Sequence, residues 1–437
     1  MSIIVGETTS NTLWNNNDFA KEDRIEGKRF SIFLQQNLKT LKRRDFVKLG
    51  ALLSASTVLP IMAGTSEKRV FSVGILGYGD RGSGLHRVLN GMPDKFLVKA
   101  VCDDLPLRLE QAKSKFPTGV SFYDDYRMLL DQKDLDIILV ATPIYLHFEH
   151  AKAVLESGKH LFLEKTMVFN VDQALSLSKI RQQYPRQVVQ VGHQYRYSPL
   201  YFKVKEMVQD GWLGKVTQVE ARWDRNHNWR RDVPSPELER KINWRMYKEY
   251  SGGLVAELLS HQMDFIHWVF ETRPSSVYGV GGIDFFKDGR ETFDNVQVTL
   301  RYDREGMIGN FGATCANQQD GYSFKIKGNK GMISLLTNEG VFYPEPETRK
   351  ELEQVDGVSG ATRLTWSSDK QGIKILPQPT LDGSIYALED FYRCLVEKAE
   401  PNCNVINAGR TAITVALANE SVYTGQRMVW RPEFDLV

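Results

Sequence analysis

Strands alternating with helices, a glycine-rich turn after the first strand, and an acidic pair closing the second predict an α/β protein on a doubly wound parallel sheet. The first strand is the apolar run 70–76. Gly77-Tyr78-Gly79-Asp80-Arg81-Gly82 follows it and leads into a helical stretch through Leu89. The second strand, 96–102, ends in Asp103-Asp104. Further strands are expected at 135–141, 160–163 and 188–191, with helical stretches between them. Such alternation places helices on both faces of a parallel sheet.

The turn reads G-x-G-x-x-G between a strand and a helix, which is the context a dinucleotide-binding motif requires. Gly77 permits the tight turn, Gly79 lets the backbone approach a pyrophosphate, and Gly82 lets helix and strand pack closely. Tyr78, Asp80 and Arg81 fill the loop and join the glycines as candidate cofactor contacts. The helix N-terminus then favours the anion. Asp103 can accept hydrogen bonds from ribose hydroxyls and repel a 2′-phosphate, so NAD is expected rather than NADP. Thr142 and Pro143 lie at another strand's carboxyl end, where such sheets bind ligands.

Three further segments carry chemistry. Glu164-Lys165 follows the strand 160–163, and Gly192-His193-Gln194-Tyr195-Arg196 follows the next. Farther on, a glycine-led segment, 252–264, reads as a helix with Glu257, His261 and Asp264 on one face. Oxidising a carbinol needs a base for the hydroxyl proton, and a histidine titrating near neutrality suits that role. A lysinium beside the oxygen stabilises developing negative charge. A carboxylate can orient either group. Each residue also has a plain structural explanation, as a satisfied helix histidine, a surface cation or a structural carboxylate. His147 either lines the cofactor or caps a helix.

These motifs together resemble the Gfo/Idh/MocA oxidoreductases, the family of glucose–fructose oxidoreductase and inositol dehydrogenase, over nearly everything from Val70 onward. The resemblance implies a Rossmann dinucleotide-binding domain followed by an α/β domain with an open, mainly antiparallel sheet. It implies Lys165 as the catalytic lysine, His261 as the histidine acid/base and Glu257 as the acid one turn earlier. Thr166 stands where the family often has proline, and Glu257 where it usually has aspartate. The resemblance also implies a homo-oligomer joined through the open sheet face.

In the second half, 216–223 reads as a strand. It runs into an aromatic, basic loop holding Trp223, Arg225, His227, Trp229, Arg230 and Arg231. Asn243-Trp244-Arg245 forms a second cluster. Sugars stack on tryptophan and offer hydroxyls to Arg, Asn and Asp. Tyr195, Arg196, Trp223, Trp229, Trp244 and Arg245 are therefore candidate substrate contacts beside Lys165 and His261. The competing explanation is a second aromatic core with arginines at its rim. Strands are expected at 277–281, 296–302, 307–313 and 324–327, and closing helices at 384–398 and 408–425.

Three regions result: a leader over residues 1–66, the dinucleotide domain over 67–195, and a substrate and oligomerisation domain over 196–437. The leader carries Lys42-Arg43-Arg44-Asp45-Phe46-Val47-Lys48 before a short apolar stretch, which resembles a twin-arginine signal and predicts export to the periplasm. The first 64 residues hold nine Lys/Arg against six Asp/Glu, which leaves the rest at about −1 from a total of +2. That balance argues against a nucleic-acid partner. No apolar run is long enough to read as a membrane span. Cys102, Cys315, Cys394 and Cys403 show no metal-ligand spacing, nor do the histidines, although an oxidising compartment would permit a Cys394–Cys403 bridge.

The leading functional expectation is NAD-dependent oxidation of a ring hydroxyl of a sugar, polyol or glycoside. A redox-neutral glycosidase working through a keto-sugar is the alternative. A non-catalytic sugar or nucleotide sensor is a third.

Overall fold

Mostly apolar runs form the strands of the first sheet, as expected where helices cover both faces, with single polar residues such as Ser72, Lys99 and Gln190 among them. The computed structural model describes residues 69–116, 118–319, 321–347 and 372–436. The chain divides into Met1–Glu67 and Lys68–Val437, and all described residues belong to the second unit. The leader with Arg43 and Arg44 lies outside them.

The first sheet contains β1 (Phe71–Leu76), β2 (Phe96–Cys102), β3 (Ser121–Tyr123), β4 (Ile137–Val140), β5 (His160–Leu163) and β6 (Val189–Val191). Their order is β3-β2-β1-β4-β5-β6, all parallel. β1 and β4 are buried along their whole length. The connecting helices are α1 (Asp80–Asn90), α2 (Pro106–Lys113), α3 (Tyr126–Leu130), α4 (His147–Glu156) and α5 (Val171–Gln183). Strand order reverses between β1 and β4, and a crevice opens there at the strands' carboxyl ends. The edge strand β3 has only three residues, too short a run to stand out in the sequence.

After α6 (Pro199–Gln209) a second, nine-stranded sheet begins. It comprises β7 (Val216–Trp223), β8 (Ser276–Gly282), β9 (Asn295–Tyr302), β10 (Met307–Thr314), β11 (Tyr322–Gly328), β12 (Gly331–Leu335), β13 (Gly340–Pro344), β14 (Ile373–Lys374) and β15 (Met428–Val429). The order is β14-β13-β12-β11-β7-β10-β9-β8-β15. All pairings are antiparallel except β7 with β10, so the sheet is mainly antiparallel, as expected. Alternating burial along β9 marks one covered face and one open face. Tyr278, Val280 and Ile308 stand exposed on these strands.

The short helix α7 (Glu239–Ile242), α8 (Ser260–Phe270), α9 (Gly383–Glu397) and α10 (Val405–Thr424) complete the fold. α9 crosses back to the first sheet. Its Leu388, Phe391, Cys394 and Leu395 share a core with Phe71, Ile75, Leu85 and Phe162. α10 ends where Gly425 takes φ +69°. All four cysteines are free and buried, so the permitted Cys394–Cys403 bridge is not formed. Cys394 sits in the α9 core, whereas Cys403 donates its backbone N–H to the Tyr197 hydroxyl. Among the described residues, no helix is long and apolar enough to cross a membrane.

Candidate active site

One cleft of about 980 Å³ runs from the glycine-rich turn to His261. Gly77 closes the turn with φ +92°, and a Cβ there would lie 2.8 Å from the Ala141 backbone. A Cβ on Gly82 would lie only 1.9 Å from the Gly77 carbonyl oxygen. Both positions therefore require glycine, and α1 begins between them, at Asp80. Asp103 accepts backbone hydrogen bonds from Tyr78 at 2.7 Å and Leu105 at 3.0 Å, one on each carboxylate oxygen. Each oxygen keeps a further lone pair, and Asp103 lines the cleft. Bare turn, helix N-terminus and acid at the end of β2 fit a dinucleotide.

Lys165 leaves the end of β5 beside a cis Lys165–Thr166 peptide bond. Its Nζ donates to the carbonyl oxygens of Glu257 at 2.9 Å and Ala256 at 3.4 Å. Those carbonyls belong to a π-helical turn, Val255–Leu259, that opens α8. Such wide turns are frequent at functional sites. An ammonium has three donors, so one remains for a ligand in the cleft. The Glu257 carboxylate accepts from Arg245 Nε at 3.0 Å. His261 lines the cleft with its ring 4.9 Å from that of Tyr195 and 5.4 Å from that of Trp223, centroid to centroid.

Burial lowers the Lys165 pKa, and Glu257 and Glu164 oppose that fall only in part. Burial alone would raise Glu257, yet Arg245 and Lys165 outweigh it and hold the carboxyl below its usual range. For His261, burial and then the Lys165 charge push the pKa well below 6.5. The site thus keeps a neutral imidazole beside a lysine and an ionised carboxylate.

Most expected residues meet here: Gly77, Gly79, Asp80, Arg81, Asp103, Thr142, Pro143, His147, Glu164 and Lys165 at the nucleotide side, and Tyr195, Trp223, Trp244, Arg245, Glu257 and His261 beyond. Gly82 lies under the turn. Some roles differ. Arg196 is not a ligand contact: it is 1% exposed and grips Asp264 with Nε and Nη2 at 2.8 and 2.5 Å. Asp264 accordingly points at Arg196 rather than sharing the cleft with Glu257 and His261. Only the Tyr78 backbone serves the turn, since its hydroxyl pairs with His86 in the core. Arg81 donates to Glu164, Gln194 and Ser384, which ties three segments together rather than leaving a free cation. Both ring nitrogens of His147 face carbonyls, those of Thr166 and Thr142 at 2.9 Å each. Trp229 lies outside the main cleft, with φ +60° and its backbone N–H donating to His227 Nδ1. It borders an adjoining hollow of about 640 Å³ that shares Trp223 and Arg225 with the cleft.

Other cleft residues carry no sequence signal. Tyr126, Glu149 and His150 line the nucleotide end. Two cross-cleft ion pairs are equally silent in the sequence. Arg231 pairs with Asp80, and Lys241 with Asp104 at 2.9 Å, so the segment after β7 bridges onto the first domain.

Residues 71–193 match the NAD-binding Rossmann fold of an oxidoreductase family, and residues 201–334 match the GFO/IDH/MocA C-terminal domain. The chain belongs to the Gfo/Idh/MocA family. Its first domain is an NAD-binding Rossmann domain. Inositol 2-dehydrogenase/D-chiro-inositol 3-dehydrogenase of Lactiplantibacillus plantarum is 27% identical over 206 residues, 47% of this chain and 53% of that protein. The chain thus spans about half the length of that curated relative. Levoglucosan dehydrogenase of Pseudarthrobacter phenanthrenivorans is 24% identical over 368 residues, 75% of this chain and 89% of that one. A solved levoglucosan dehydrogenase complex with NADH and levoglucosan superposes with TM-score 0.67 at 21% identity, covering 83% of this chain and 99% of that one. The WlbA dehydrogenase from Bordetella pertussis, in complex with NADH and UDP-GlcNAcA, gives the same TM-score at 20% identity, with the same coverage. At such identities the likeness is one of fold.

Proposed function

We propose that this protein oxidises a secondary hydroxyl of a sugar, polyol or glycoside with NAD. One observation carries the reading: the Gly77–Gly82 turn, Lys165 and His261 border a single cleft. Relatives named as inositol and levoglucosan dehydrogenases support it.

Bound NAD supplies the hydride acceptor. The protein's task is to remove the hydroxyl proton and hold the oxygen. Neutral His261 takes that proton, for burial keeps the ring unprotonated near pH 7. The third donor of Lys165 meets the oxygen as negative charge develops. Glu257, oriented by Arg245, holds positive charge at Lys165. Trp223 and Tyr195 supply faces on which a sugar ring packs.

The Trp229 hollow favours a substrate longer than one ring, hence a glycoside. That supports a second reading, redox-neutral glycoside cleavage through a keto-sugar. Export by the twin-arginine route is part of the proposal, resting on Arg43-Arg44 and the apolar stretch behind them. An exported enzyme has no external NAD pool, so its nucleotide must stay bound. The Arg231–Asp80 and Lys241–Asp104 pairs across the cleft suit such retention.

The test is to incubate NAD-loaded protein with a panel of polyols, free sugars and methyl glycosides, and to follow NADH and ketone. Ketone formation that vanishes in Lys165→Ala and His261→Ala supports oxidation. Released aglycone without net NADH supports the second reading. Nucleotide binding with no turnover on any class would leave only a sensor. Fractionating cells that carry Arg43→Lys and Arg44→Lys tests export, and undiminished export would refute it.

A further inference from the structure

Behind the cleft, three imidazole nitrogens are buried with no hydrogen-bond partner among the described residues: Nδ1 of His261 and both ring nitrogens of His193. Buried polar atoms are nearly always paired, often through ordered water, so three such atoms in one place need an explanation. The two rings face one another edge to face, with centroids 5.9 Å apart and planes at 86°. His193 is 1% exposed, directly after β6 in the Gly192-His193 segment, and no role at the cleft has been given to it.

Asp264 sets the direction of every proton here. Its carboxylate is gripped by Arg196, also takes the Thr411 hydroxyl at 3.3 Å, and can only accept. His193 Nε2 lies 3.9 Å from Asp264 Oδ1, beyond hydrogen-bond length but on the side where the carboxylate charge favours a proton on Nε2. A neutral ring with Nε2–H leaves Nδ1 as an acceptor. That acceptor and the unpartnered Nδ1 of His261 sit on neighbouring buried rings, so a proton on His261 Nδ1 would give both atoms a partner.

We propose that His193 is a positioning residue: through one bridging water it accepts the Nδ1–H of His261, and so keeps His261 Nε2 as the lone-pair nitrogen at the cleft. The chain of polarity runs from the Arg196–Asp264 pair through His193 to His261. A base must present an unprotonated nitrogen to its substrate, and a histidine in the wrong tautomer fails even when it is correctly placed. The catalytic consequence rests on reading His261 as the base, whereas the tautomers themselves do not.

Selective 15N labelling of histidine in the NAD-saturated protein reads the tautomers directly, with His261→Asn and His193→Phe spectra to assign the two signals. In the native protein His261 should carry its proton on Nδ1 and His193 on Nε2. Either ring in the opposite form in the native protein overturns the proposal. In His193→Phe the His261 signal should move toward the Nε2–H form, while His193→Gln, which restores an acceptor oxygen, should return it. An unchanged His261 tautomer in His193→Phe also overturns it. On any substrate that yields ketone, His193→Phe should lower kcat at least about tenfold and leave KM within about twofold. Loss of turnover on all substrates would sink the oxidation reading and leave the tautomer result standing.

Discussion

The ammonium of Lys165 is tied to the backbone carbonyl of Glu257 at 2.9 Å, so the end of β5 in the first domain is fastened to the turn that holds Glu257 and leads into the helix of His261. Lysine here joins charge to position. Lys165→Met should lower kcat by roughly 10²- to 10³-fold, the range for losing one donor to a developing oxyanion. NAD affinity should change little, as equilibrium titration would show. A KM effect without a kcat effect would mean that Lys165 only binds.

The pH profile should reveal the displaced ionisations. As the proposed base, His261 must be neutral, and its pKa is lowered well below 6.5, so activity should hold through neutrality and fall only at lower pH. Lys165 must be charged, and its pKa is lowered from 10.5, so the alkaline limb should appear below that value. Measuring kcat/KM against pH checks both. An acid limb at 7 or above would contradict the buried, neutral imidazole.

Arg196 and Asp264 form a fully buried ion pair. Arg196→Met should destabilise the protein by about 3–5 kcal/mol, since it strands an uncompensated carboxylate. Substrate KM in the folded fraction should be nearly unaltered. Urea denaturation with parallel kinetics separates this from direct substrate contact, which would raise KM and spare stability.

Acid should unfold the protein early. His150 and His193 are lowered by burial to about 4, and His267 to about 3. The unfolded chain binds these protons from about 6.5 downward while the native one does not, so stability falls as pH drops from about 6.5 toward 4. Each histidine contributes a slope of about 1.4 kcal/mol per pH unit across that window. Denaturant melts at pH 7, 6 and 5 would show it, and a flat series would refute it.

Cross-cleft pairing should control nucleotide release. Changing Arg231 and Lys241 together to Ala removes both bridges to Asp80 and Asp104. NAD should then leave at least about tenfold faster in a desalting or stopped-flow release experiment. An unchanged release rate would show that the bridges are ornamental surface pairs, as exposed ion pairs often are.

Some of this is plain in the sequence. Period and punctuation mark β1, its glycine turn and α1, because turn, anion site and helix packing all demand glycine at fixed spacing. Lys165 and His261 lie 96 positions apart. Composition gives no hint that they meet, and the family resemblance singles them out. The helical period does put Asp264 near His261, for both lie beside His193, but the period cannot show that Arg196 takes the Asp264 carboxylate and keeps it out of the cleft. Arg196 misleads because arginine among aromatics looks alike at a sugar site and in a core. Only its fork onto Asp264 separates the two. Nothing local announces Lys241–Asp104, a pair made by tertiary structure alone.

The return of α9 to the first sheet bears on how this protein is made. Phe391 packs on Phe162 with ring centroids 5.6 Å apart, and Ser384 takes a hydrogen bond from Arg81 beside the nucleotide turn. A ribosome that has finished β6 has therefore not yet delivered one wall of the nucleotide-binding half. Until residue 397 emerges, that half must wait with its apolar flank bare, a state prone to aggregation. Cofactor capture should therefore come late in biosynthesis, and the N-terminal half expressed alone should lack a wall of its own core.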